Sequence, residues 1–100
     1  VGEDGHVASL FPNHESIKSK ETGFIEIHNA PKEPENRISL SPKSISDANL
    51  VIFLFASQEK KDAYKKFINK EVDYIECPAK ISMNAENVLV YTVFGDEYAE

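Results

Sequence analysis

The sequence predicts an α/β domain: an open, mostly parallel sheet with flanking helices. Two nearly continuous apolar runs, residues 50–56 and 88–94, and the helical spacing of Ala63, Tyr64, Phe67 and Ile68 between them carry that reading. A strand apolar on both faces belongs inside a covered sheet, and a helix between two such strands is the crossover that parallel pairing requires.

The remaining elements follow in order. Residues 7–11 form a short apolar stretch closed by Pro12 and Asn13, which predicts a turn or two of helix. Residues 13–22, with Lys18, Lys20 and Glu21, read as a surface loop. After Gly23, residues 24–28 alternate as a strand with one wet face. Pro31 and Pro34 cannot continue a ladder, so residues 30–36 connect elements. Residues 37–41 alternate and stop at Pro42, predicting a short strand with Ile38 and Leu40 facing inward. Residues 44–49 suit one helical turn, and Ser57 suits the N-cap of the helix after the first apolar run. Asn69 and Lys70 fray that helix, and Cys77-Pro78-Ala79 marks a turn or short helix before the second run.

Composition narrows the function. One hundred residues, 41% of them apolar, fit a single small domain. Seventeen acids against eleven bases, net −6, repel phosphate backbones and anionic headgroups, so neither nucleic acid nor a membrane is an expected partner. The longest apolar run is seven residues, against roughly 20 for a spanning helix. Cys77 is the single cysteine and no Cys/His cluster has zinc spacing, which points to a reducing, cytoplasmic setting with neither metal nor cofactor. The chain starts without Met in the turn-like Gly2-Glu3-Asp4-Gly5, and its few strands and one good helix cannot cover both faces of a sheet. The expectation is that residues 1–100 are the C-terminal portion of a single domain whose N-terminal part is absent.

Gly2-Glu3-Asp4-Gly5-His6 sets a carboxylate two residues before an imidazole, with glycines that allow a tight turn and close approach of a ligand to the backbone at Gly5. A histidine titrates near cellular pH, and a neighbouring carboxylate can fix its tautomer. By itself, Asp-Gly-His is more often a surface turn with a solvated histidine. Context changes this: residues 1–12, Val1-Gly2-Glu3-Asp4-Gly5-His6-Val7-Ala8-Ser9-Leu10-Phe11-Pro12, resemble the Gly-x-Asp-Gly-His-x-Ala-Ser-Leu-Phe-Pro signature of the 6-phosphogluconolactonases. The resemblance continues through Ala30-Pro31-Lys32, Arg37-Ile38-Ser39-Leu40, Glu59-Lys60, Pro78-Ala79 and Phe94-Gly95-Asp96-Glu97. Departures include Ser57 where the family has glycine, Ser39 and Ser41 for threonines, Pro34 after Glu33, and Gly95 for an apolar residue.

The resemblance implies a Rossmann-like sheet and hydrolysis of 6-phospho-D-glucono-1,5-lactone to 6-phosphogluconate. His6 would act as general acid/base on water and Asp4 would orient it. It also implies that the chain is fused to, or acts beside, glucose-6-phosphate dehydrogenase. Lys60 falls in the first turn if Ser57 caps its helix, where the dipole disfavours a cation by a few tenths to about 1 kcal/mol and a bound phosphate reverses the sign. The resemblance gives Lys60 to the sugar phosphate; the alternative is a solvated lysine beside Lys61, Lys65 and Lys66. Arg37, the one guanidinium, either reaches a phosphate or pairs with Glu33 or Glu35.

Two other functions stay open. An amino-sugar phosphate deaminase or isomerase of the same superfamily shares Asp-Gly-His, but its motif continues with a further carboxylate that residues 9–12 lack. A non-catalytic sugar-phosphate-binding module would have no use for a proton-transfer group. His14 and His28 read as surface and strand-edge residues, Ser9 as a capping or packing residue, and Cys77 as a buried small one.

Overall fold

The computed structural model describes residues 1–94; Gly95, Asp96 and Glu97 of the closing motif lie outside them. Its elements are β1 (Phe24–Ile27), β2 (Arg37–Leu40), α1 (Pro42–Ser46), β3 (Leu50–Phe55), α2 (Lys61–Ile68) and β4 (Asn87–Thr92), with 3₁₀ segments at Glu15–Lys18, Gln58–Lys60 and Pro78–Asn84. The α/β class read from the sequence is observed. β3 and β4 run parallel with Phe53 opposite Val90 and Phe55 opposite Thr92, while β1 and β2 form a separate antiparallel pair with Ile25 opposite Ser39.

Alternation decides which face of β3 is covered. Phe53 and Phe55 are buried against α2, where Phe55 meets the Tyr64 ring edge-on at 5.0 Å and Phe53 meets Phe67 at 4.9 Å. Such aromatic pairs contribute about 0.5–1.5 kcal/mol each beyond their burial. Ala63, Cys77, Ala79 and Phe94 belong to the same cluster. Leu50, Ile52 and Leu54, with Leu89 and Tyr91 of β4, fall on the opposite face and stay about half exposed, so among the described residues helix covers one face of the parallel pair.

A second cluster joins Leu10, Phe11 and Ile17 to Ile25 and Ile27 of β1, Ile45 of α1 and Ile81. Ser41 caps α1 by accepting the Ser44 N–H, with Pro42 at the first helical position. Ser44 Oγ in turn accepts the Gly23 N–H at 2.7 Å, which ties the start of β1 to that helix.

Several local expectations are corrected. Residues 7–11 are a tight reversal, not a helix: Leu10 N–H donates to the Val7 carbonyl and Ala8 sits at φ 50°, which inserts Leu10 and Phe11 fully into the core. Ile38 points outward, 73% exposed, and Ser39 points inward. The register explains it, since Ser39 shares its face with Ile25 and its hydroxyl accepts the Ser9 N–H that the reversal presents. The polar stretch after Asn13 holds a 3₁₀ turn whose Ile17 is buried. Ser57 precedes the 3₁₀ turn Gln58–Lys60 without a side-chain cap bond, and α2 itself starts at Lys61.

Candidate active site

The first six residues fold around the His6 imidazole. Gly2 N–H donates to the His6 carbonyl at 2.9 Å and Gly5 N–H donates to the Gly2 carbonyl at 3.0 Å, closing a turn. His6 N–H then reaches Asp4 Oδ1 at 3.1 Å, and the same oxygen holds His6 Nδ1 at 2.6 Å. The ring lies against Gly2, where a Cβ would come within 2.0 Å of Cε1. Only glycine leaves that space.

Burial alone would raise the Asp4 carboxyl, but the His6 side-chain and backbone hydrogen bonds, followed by the His6 and Lys32 charges, outweigh it and hold the group below its ordinary value. An ionised Asp4 needs a donor, so Nδ1 carries the proton in the neutral ring and Nε2 keeps its lone pair. Nε2 has no hydrogen-bond partner among the described residues, and the His6 side chain is 22% exposed. One ring nitrogen is thus held by Asp4 and the other is open.

Phe11 forms the floor. Its ring centroid lies 4.5 Å from that of His6, and the Arg37 guanidinium carbon stands 5.0 Å from the same ring. Arg37 pairs with neither Glu33 nor Glu35 through their side chains; Nε donates to the Pro34 carbonyl and Nη2 to the carbonyls of Lys32 and Glu33. It therefore clamps the connection between β1 and β2, with Nη1 as its uncommitted end among the described residues. Lys32 on that connection places Nζ 3.7 Å from Asp4 Oδ2. Sequence reasoning did not bring this lysine to Asp4, although it stands within the Pro-Lys stretch of the resemblance.

Gly5, expected to let a ligand approach its backbone, is already engaged: its N–H is taken by Gly2 and its carbonyl by Ala79 N–H at 3.0 Å. Its φ of +92° and a Cβ position 3.2 Å from Cys77 Sγ explain why glycine stands there. Cys77 is fully buried, and burial pushes its thiol up. Lys60 ends the 3₁₀ turn before α2 and is half-buried. His14 Nε2 contacts the His28 carbonyl at 2.6 Å, and exposed His28 faces Asn36 and Glu26, so both histidines belong to the surface around β1.

Residues 1–91 match the family described as glucosamine-6-phosphate isomerases/6-phosphogluconolactonase, and the chain belongs to that family. It is 42% identical over 92 residues to a 6-phosphogluconolactonase of Borreliella burgdorferi, covering 92% of this chain and 39% of that protein. To the 6-phosphogluconolactonase of Streptomyces coelicolor it is 44% identical over 63 residues, 63% of this chain and 24% of the relative. In fold it is similar to the crystal structure of 6-phosphogluconolactonase from Leishmania guyanensis, with a TM-score of 0.71 at 21% identity over 96% of this chain and 38% of that one. The chain thus spans about two-fifths or less of the length of these relatives. Among the described residues no helix is long and apolar enough to cross a membrane.

Proposed function

We propose that the protein hydrolyses 6-phospho-D-glucono-1,5-lactone to 6-phosphogluconate, with His6 as general base and then general acid. The observation that carries this is the His6 ring, bound at Nδ1 to Asp4 with Nε2 open. Water attacks the lactone carbonyl carbon while Nε2 takes its proton, and Asp4 stabilises the imidazolium that forms. The tetrahedral intermediate then expels the ring oxygen as the C–O bond breaks. Nε2 returns the proton to that oxygen, giving the open-chain acid. Lys60, with the open end of Arg37, holds the sugar phosphate, so that binding remote from the carbonyl positions it for attack.

In this reading the lactone comes from a glucose-6-phosphate dehydrogenase working beside or fused to the protein in the cytoplasm, and the described residues supply the acid–base and phosphate groups of one domain. The test is a coupled assay on the full chain that follows 6-phosphogluconate from fresh lactone, with the spontaneous rate subtracted and glucosamine 6-phosphate as the comparison. Turnover of the lactone alone is expected. Turnover of the amino sugar alone, or phosphogluconate binding without turnover of either substrate, overturns the reading.

A further inference from the structure

We propose that Lys32 is a positioning residue for the Asp4–His6 pair: its ammonium holds the outer oxygen of Asp4 while the inner oxygen serves His6, and Arg37 keeps Lys32 in place. The inference rests on His6 being the proton-transfer group of the proposed function. Asp4 divides its two oxygens. Oδ1 takes both bonds from His6, and Oδ2 faces Lys32 Nζ at 3.7 Å. Without a cation on Oδ2, either oxygen could turn to the imidazole, and the full carboxylate charge would favour a protonated ring, which is useless as a base.

Lys32 sits on an exposed connection that holds no regular structure, so something must fix it. Arg37 does so from β2 by collecting the carbonyls of Lys32, Glu33 and Pro34 while its guanidinium lies over Phe11, the ring that also contacts His6. A single arginine thereby couples the connection to the floor of the site. The charged groups placed around the pair are Lys32 from this connection and Arg37 from β2. At 3.7 Å, with the Lys32 side chain 48% exposed, the contact is Coulombic and open to salt.

The experiment uses the full chain with Lys32→Ala, Lys32→Glu and Lys32→Arg, and two readouts. The first is the NMR titration of the His6 ring without substrate, which stands even if the lactone proves not to be the substrate. The second is the pH profile of kcat/KM with the lactone. Lys32→Ala is expected to move the His6 titration and the acid limb to higher pH by about 0.2 to 0.7 unit, the equivalent of an exposed ion pair. Lys32→Glu should move both further, Lys32→Arg should restore them, and KM should stay within about twofold of the parent. The shift should shrink at ~1 M salt, where charges separated by more than about 3 Å are screened. An unmoved His6 titration in both Lys32→Ala and Lys32→Glu overturns the proposal. So does a raised KM with an unmoved profile, which would make Lys32 a substrate contact.

Discussion

The α-carbon of Gly2 and the imidazole of His6 are in such close contact that a methyl group on Gly2 would overlap the ring, 2.0 Å from Cε1 and 2.1 Å from Nδ1. Gly2→Ala must therefore displace the ring from Asp4. The expected result is a fall in kcat of at least about 10²-fold, the cost of misplacing a catalytic group by an ångström, with the fold retained by circular dichroism. Near-normal kcat would show that the ring does not work from this position.

Gly5 and Cys77 give a prediction about stability. Gly5→Ala puts an L side chain at φ +92° with its Cβ 3.2 Å from the buried Cys77 Sγ. A destabilisation of about 1–3 kcal/mol is expected from the backbone conformation, read as a lower denaturation midpoint of the full chain. Gly5→Ala with Cys77→Ala removes the contact and should recover part of the loss, leaving the backbone cost.

The sequence made some of this legible and hid the rest for physical reasons. Residues 50–55 and the helix after them declared themselves because a strand and a helix bury apolar side chains at different periods, and Phe53, Phe55, Ala63 and Tyr64 obey them. On residues 37–40 Leu40 packs against the core as expected, but Ile38 was misread because the pattern assumes an apolar interior, whereas Ser39 turns in to satisfy Ser9. The reversal at residues 7–11 was hidden by Ala8, which occupies a left-handed conformation that alanine rarely announces. The Asp4–His6 contact was legible because both residues are local to one turn; the Lys32–Asp4 contact was not, because its partners lie 28 residues apart.

Lys60→Ala separates binding from chemistry. If its ammonium holds the phosphate, KM should rise about 10- to 100-fold, the worth of a charged hydrogen bond, while kcat falls less. Steady-state kinetics on the full chain checks it, and an unchanged KM returns Lys60 to the solvated surface.

Asp4 predicts a direction in pH. Its carboxyl is held below the ordinary 3.8, so what the ionised group contributes to the His6 turn is present above 3.8 and is lost as pH falls through the lower folded value. Asp4→Asn removes the anion that favours a protonated ring, so the acid limb of activity should move to lower pH. The amide oxygen can still accept from Nδ1, and kcat should fall less than in His6→Ala. A limb that moves to higher pH contradicts the assignment.

The most direct measurement is kcat of His6→Ala in the full chain with the lactone, after subtraction of spontaneous hydrolysis. A loss of about 10²- to 10⁴-fold is predicted, the usual worth of a positioned acid–base group, with 6-phosphogluconate still bound at close to the parent affinity and the acid limb of the pH profile gone. Turnover near the parent rate would contradict the account at its centre, because the open nitrogen of His6 would then have no part in the reaction.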